Sequence, residues 1–213
     1  AATRSTGALA QSWPAKPIRI VVPFPPGGGT DLAARLVADR LGQVLGQRVL
    51  VDNRPGAGTA IGAAAVASAP TDGHTLLFSG SSTFTVNPAV RQHLSYDPFR
   101  QLQPIGLVAR APLVIVTMSN APYADLPALL AAAREKPGAM NYATFGLGTG
   151  PHLAGEMLSL AGGVRMTAVP YKGSAQLVTA LIGGEIDMGI DTASSAAPPL
   201  PERSRGSGGR ARP

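Results

Sequence analysis

Five short stretches hold the residues whose types and spacing could do chemistry. The first is Pro23-Phe24-Pro25-Pro26-Gly27-Gly28-Gly29-Thr30-Asp31. Its prolines stiffen the chain, and its glycines expose backbone N–H groups just before a helix begins. That is an anion cradle by geometry and by helix dipole. The second is Ser79-Gly80-Ser81-Ser82-Thr83, where short hydroxyls and backbone amides could hold a carboxylate. Thr144-Phe145-Gly146-Leu147-Gly148-Thr149-Gly150 again leads toward a helix, with Thr149 as its cap. Tyr171-Lys172-Gly173-Ser174 is another strand–helix junction, and Asp191-Thr192 ends the last patterned strand. Asp191 could pair with a ligand ammonium or orient water, or be a solvated strand-end carboxylate.

Machinery for covalent chemistry is missing. There is no Cys, so disulfides, thiolate nucleophiles and Cys-ligated metals are excluded. No Gly-x-Ser-x-Gly elbow and no His-Glu-x-x-His occurs. No Gly-Lys pair is present for a P-loop, and Gly56-Ala57-Gly58-Thr59-Ala60-Ile61-Gly62 misses the dinucleotide fingerprint by one place. His152 and Glu156 lie four apart on one helix face, but without a third ligand they read as a first-turn His and a surface Glu. His74 and His93 read as structural. We therefore expect no catalytic residue, no metal and no cofactor.

The elements that must position these loops alternate. Ile18–Val22 is a β-branched strand that stops at Pro23. Thr30 is read as the N-cap of a helix carrying Leu32, Leu36, Val37, Leu41, Val44 and Leu45 at helical spacing, ended by Gly46. Arg48–Val51 is a strand, 58–67 an Ala-rich helix, and His74–Phe78 a strand. After Pro104 come two apolar strands, Ile105–Ala109 and Leu113–Met118. Asp125 caps a helix through Arg134. Met140–Thr144, a short strand closed by Val169, and Ile186–Ile190 alternate with helices at Pro151–Leu160 and Gly173–Ile182. Strand–helix alternation predicts parallel βαβ units in an α/β, doubly wound architecture. In such sheets ligands sit outside the carboxyl ends of the strands, where the five stretches fall.

Composition narrows the partners. The formal net charge is +6, but half of the excess lies in residues 196–213. Elsewhere the basic residues are spread singly without aromatic interleaving, which argues against nucleic acid. No apolar run is long enough for a membrane helix. Aromatic residues are 5% of the chain, too few for a large aromatic cage, so small polar acids are favoured. Residues 1–12 read as a signal-peptide remnant or a leader, since Ala8-Leu9-Ala10 fits a signal-peptidase site. Residues 196–213 are rich in Pro, Gly, Ser and Arg, and disorder is expected there.

Several motifs then resemble one family. Trp13-Pro14-Ala15-Lys16-Pro17-Ile18-Arg19 running into Val22–Asp31, Val51-Asp52-Asn53-Arg54-Pro55-Gly56-Ala57-Gly58, Ser68-Ala69-Pro70-Thr71-Asp72-Gly73-His74-Thr75-Leu76, His152-Leu153-Ala154-Gly155-Glu156 and Val169-Pro170-Tyr171-Lys172-Gly173 are similar to the tripartite tricarboxylate transporter (Bug-type) receptors. The resemblance covers residues 13 to about 195. It implies a periplasmic solute-binding receptor with two Rossmann-like domains of the periplasmic binding protein (type II) kind, closing on a small organic carboxylate for transporter membrane subunits. The expected division is domain 1 at 13–108 and domain 2 at 109–195. The expected ligand-binding residues are Pro25, Pro26, Gly27, Gly28, Thr30, Asp31, Ser79, Gly80 and Ser81 from the first domain, with Gly148, Thr149, His152, Lys172 and Asp191 from the second. Family members are longer, so the first domain is expected to be incomplete, and the tail at 196–213 to be a frame-shifted reading of the next segment. The rival readings are a Rossmann-type nucleotide-dependent enzyme and a non-functional truncated gene product.

Overall fold

The computed structural model describes residues 12–196; the expectations for residues 1–11 and 197–213 lie outside them. The chain folds around two sheets, consistent with the α/β class. The first has the order β2-β1-β3, built from β1 (Ile18–Val22), β2 (Val49–Asn53) and β3 (Thr75–Leu77), all parallel. The second has the order β4-β7-β5-β6, built from β4 (Leu113–Val116), β5 (Asn141–Thr144), β6 (Thr167–Pro170) and β7 (Met188–Thr192). Here β5 runs parallel to β6 and β7, but β4 is antiparallel to β7. The expectation of purely parallel units is corrected at that edge. An apolar run records burial, not strand direction.

Helices cover both faces of each sheet. Helix α1 (Gly29–Leu45) lays Ala34 and Ala38 on Ile20 and Val22. Helix α2 (Ala60–Ala67) lays Ala60 and Ala63 on the other face, beside Leu77 and Tyr96. A short π-helical turn (Ser82–Val86) and α3 (Asn87–Val90) follow β3. In the second sheet, α6 (Ser174–Ile182) packs Leu177 and Leu181 on Val116 and Ala143. The opposite face carries α4 (Leu126–Glu135) and α5 (Gly150–Gly162), where Leu129, Ala133, Tyr142, Met188 and Ile190 are buried together. Alternation along β5 explains the split: Tyr142 faces one layer and Ala143 the other. A last short helix, α7, spans Ala193–Ala196.

Two local expectations change. Residues Ile105–Ala109 form no strand: Ile105 is 83% exposed, Leu107 is 76% exposed, and no strand among the described residues pairs with them. β-propensity without a partner leaves backbone groups to water. Helix α1 begins one residue before Thr30, with Gly28 at its N-cap. Asp125, in contrast, caps α4 as its type predicts, accepting from the Ala128 N–H at 2.9 Å. Replacing Asp125 by alanine is expected to cost about 1 kcal/mol, read as a shift of the denaturant midpoint at unchanged slope.

At the start of the described chain, the Trp13 indole donates to the Asp72 carbonyl at 3.1 Å. Lys16 pairs with the Asp72 carboxylate at 2.8 Å. These contacts strap the entry segment over the β3 turn, where His74 is buried under Trp13.

Candidate functional site

The carboxyl ends of the strands bring the five stretches toward one another. The loop after β1 reaches the second sheet at α6: a methyl group on Gly173 would sit 3.0 Å from the Pro25 ring, and one on Gly28 3.4 Å from Ser174 Oγ. The first amide of α1, Gly29 N–H, donates to Ser195 Oγ at 2.7 Å. The loop after β3 makes the mirror contact. Gly150 N–H, at the start of α5, donates to Ser82 Oγ at 3.1 Å. Each of these two helix N-termini is thus met by a hydroxyl from the segment that follows a strand of the other sheet, Ser195 after β7 and Ser82 after β3. The seam is narrow because glycines line it.

The side chains of the candidate loops divide between scaffolding and the seam. Asp31 was expected to face a ligand, yet both its oxygens are used within the first sheet. Oδ2 accepts from Gly27 N–H at 2.9 Å and Arg35 Nε at 2.9 Å, and Oδ1 accepts from Asn53 Nδ2 at 2.9 Å. Burial alone pushes its carboxyl up, but Arg35, the Gly27 N–H and Asn53 together hold it below the ordinary range. Asp31 therefore shapes the Gly27 turn. Its depressed value adds stability that is complete above the ordinary carboxylate range and is lost as pH falls through the folded value. Arg35→Ala is expected to cost about 1 kcal/mol and to move the acid-unfolding limb to higher pH, followed by circular dichroism.

Thr30 is half-buried within α1, and Pro26 and Gly27 are exposed. Ser79 Oγ bonds the Thr83 hydroxyl, which donates to Thr59 Oγ1 at 2.8 Å. Gly80 accepts the Thr83 N–H through its carbonyl, and Ser81 is exposed with its carbonyl taken by Thr85. On the second sheet Thr149 is buried at the N-cap position of α5, but its hydroxyl donates back to the Gly146 carbonyl at 2.7 Å instead of capping the helix. Gly148 has a left-handed φ of 78° and lies against Asn87. Lys172 is exposed, and its N–H donates to Gln176.

Two candidate side chains are left with unmet needs. His152 Nδ1 and Asp191 Oδ2 are buried without a hydrogen-bond partner. Asp191 is 1% exposed, and its Oδ1 accepts the Thr192 N–H at 2.6 Å. Burial pushes its carboxyl above the usual range, against smaller opposing effects of Ser174 and Thr192. Glu156, one turn on from His152, accepts the Tyr142 hydroxyl at 2.9 Å. Among the described residues no group of three His, Cys, Asp or Glu could hold a metal ion. No helix among them is long and apolar enough to cross a membrane. Two recesses, about 670 Å³ beside Tyr96 and Phe99 and about 290 Å³ beside Lys16 and His74, contain none of the candidate residues.

Sequence reasoning missed Ser195, Asn87 and Arg91. Each acts through a contact far away in sequence, and no local motif marks such a role.

Residues 33–202 match the model of the tripartite tricarboxylate transporter family receptor. A Pseudomonas sp. (strain P51) protein encoded in the tcbD-tcbE intergenic region, described as a UPF0065 protein, is 41% identical over 184 residues, or 86% of this chain and 54% of that one. A structure described as a periplasmic transporter is 41% identical with a TM-score of 0.83, over 86% of this chain and 62% of that one. R. palustris Rpa4515, solved with adipate, is 35% identical with a TM-score of 0.84, over 88% and 62%. MatC (Rpa3494) from Rhodopseudomonas palustris, with bound malate, is 30% identical with a TM-score of 0.81, over 86% and 63%. The chain spans little more than half the length of the curated relative and under two thirds of these solved chains.

Proposed function

The chain belongs to the tripartite tricarboxylate transporter receptor family, and from that premise we propose that it is a periplasmic solute-binding receptor for a small organic carboxylate. The observation that carries this reading is the approach of the α1 and α6 N-termini across a glycine-lined seam, with the start of α5 held against Ser82 of the first sheet's side. Helix N-termini favour negative charge, and two of them on opposing lobes can hold the two ends of a diacid. The buried unpartnered atoms of His152 and Asp191 support a polar ligand beside them. The adipate and malate held by two structural neighbours support the same ligand class.

In this reading residues 13–108 and 109–195 are the two lobes. Pro25, Pro26, Gly27, Gly28, Thr30, Ser79, Gly80 and Ser81 grip one carboxylate from the first, with Asp31 shaping their turn. Gly148, Thr149, His152, Lys172 and Asp191 meet the rest of the ligand from the second. The protein binds and delivers, without catalysis or a cofactor, to the membrane subunits of a tripartite transporter.

The test is a thermal melt of the chain with malate, adipate, citrate, aspartate, glutamate and nicotinate, and with NAD and ATP as controls. A ligand at a hundred times its dissociation constant adds about 2.7 kcal/mol. A shift with one class of acid and none with nucleotides is expected. A shift with a nucleotide alone overturns the reading.

A further inference from the structure

We propose that Arg91, held by Asn87, is a positioning residue that brackets the two lobes and sets the Gly148–Thr149 loop against the ligand, an inference that rests on the binding function proposed above. Arg91 Nε donates to Asn87 Oδ1 at 3.0 Å, while its Nη2 reaches the Leu147 carbonyl of the other lobe at 3.3 Å. One planar guanidinium therefore joins the end of α3 to the loop after β5. Lysine presents its three donors from one nitrogen and lacks the planar fork, so it does not reproduce this pair of bonds in the same geometry.

The bracket is anchored from beneath. Asn87 is fully buried, and its amide nitrogen reaches the Gly58 carbonyl at 2.7 Å and Thr59 Oγ1 at 3.1 Å. Tyr96 fixes the same knot by donating to the Thr83 carbonyl at 2.6 Å. This knot holds an unusual turn. Gly56, Ala57, Gly58 and Thr59 all have positive φ, and Ala57 at 49° and Thr59 at 84° are not glycines. Such a backbone is strained and persists only where its surroundings hold it. Its effect is to bring Gly58 under the bracket: a methyl group there would lie 2.7 Å from both Arg91 Nη2 and the Leu147 carbonyl. Opposite, a methyl group on Gly148 would lie 3.1 Å from Asn87 Oδ1. Two glycines, one per lobe, thus face each other across Asn87 and Arg91. The ligand-facing Gly148 is located by a residue that need not touch ligand.

Two reporters distinguish this role from a merely structural one. The chain has no Cys, so Val44→Cys on α1 and Leu160→Cys on α5, both exposed, can carry a pair of distance labels. In the ligand-free labelled protein, Arg91→Ala is expected to lengthen and broaden the interlobe distance. With malate or adipate as probe, it is expected to speed release about tenfold while leaving the association rate within about twofold. Arg91→Lys should behave like the alanine variant. An unchanged distance with unchanged release, or full rescue by lysine, overturns the bracket. A lengthened distance in a protein whose parent retains no carboxylate overturns the binding reading and leaves the bracket standing. No binding together with no lengthening overturns both.

Discussion

Gly155→Ala is expected to destabilise the protein by about 3 kcal/mol, the largest stability effect of any single methyl group added to α5. On intrinsic helix propensity alone the change would stabilise by up to about 1 kcal/mol, because glycine is the poorer helix former. Packing reverses the sign. A Cβ at Gly155 would collide with Cε2 and Cζ of the Tyr142 ring. Tyr142 is fully buried in the core layer with Leu129, Met188 and Ile190, so the ring has nowhere to retreat. Its hydroxyl is also held, donating to Glu156 at 2.9 Å on the next residue of the same helix. Forcing an extra methyl group into such a site costs about 1–3 kcal/mol and occasionally more. The measurement is urea unfolding of Gly155→Ala, Tyr142→Leu and the double variant. The double variant is expected to lose at least about 1 kcal/mol less than the sum of the two single losses, since a smaller side chain gives the methyl group room. Additive losses would mean that the ring and the helix do not share this space.

That glycine shows what could and could not be read from residues alone. The helix over it was legible as Pro151–Leu160, ended by Gly162-Gly163. So was the end of α1 at Gly46, whose φ is 63°. Asp125 announced α4 by its type. Each signal is local: a cap or a period acts over a few residues. What failed was non-local. Ile105–Ala109 has the composition of a strand, but a strand is defined by its partner. The direction of β4 depends on the route of the chain, which apolar patterning does not record.

The candidate site divides along the same line. Its loops could be found, because Pro, Gly, Ser and Thr at strand–helix junctions are a local signature. The jobs of individual side chains could not. Asp31 looks like a ligand contact until Asn53, at the end of β2, takes its second oxygen. Arg91 looks like a solvated charge until the Leu147 carbonyl arrives from the other sheet. Ser195 sits 166 residues from the amide it accepts from. Motif reading locates such a site through its backbone, and folding decides which side chains are free to meet a ligand.

Asp191→Asn is expected to make the ligand-free protein more stable and, under the binding function proposed above, less selective. Of the two carboxylate oxygens, Oδ1 accepts the Thr192 N–H and Oδ2 is buried without a well-formed hydrogen bond, the nearby Ser174 hydroxyl giving the carboxylate only partial relief. Burial is the dominant influence and raises the folded value above that of the unfolded chain. The sign follows from proton uptake. Between the unfolded and the folded values the native state holds the extra proton, so stability falls as pH rises through that window. Above the folded value the cost of a buried, half-paired charge is complete. Asparagine removes the charge at nearly constant shape, so melts from pH 4 to 8 should show a flatter profile and a gain of about 1 kcal/mol or more near pH 7. A cost of this kind is retained where function needs it, which is the usual conflict between stability and activity. At the end of β7, beside the seam, a bare carboxylate oxygen repels a plain carboxylate and attracts a donor. Acids that carry an ammonium or hydroxyl group next to their carboxylate should therefore lose about a hundredfold in preference over unsubstituted acids in the Asp191→Asn variant, measured by calorimetric titration. Unchanged preference with raised stability would make Asp191 a structural burden of the strand end. Unchanged stability would mean that the Oδ2 oxygen is satisfied in solution, and that the charge costs the fold nothing.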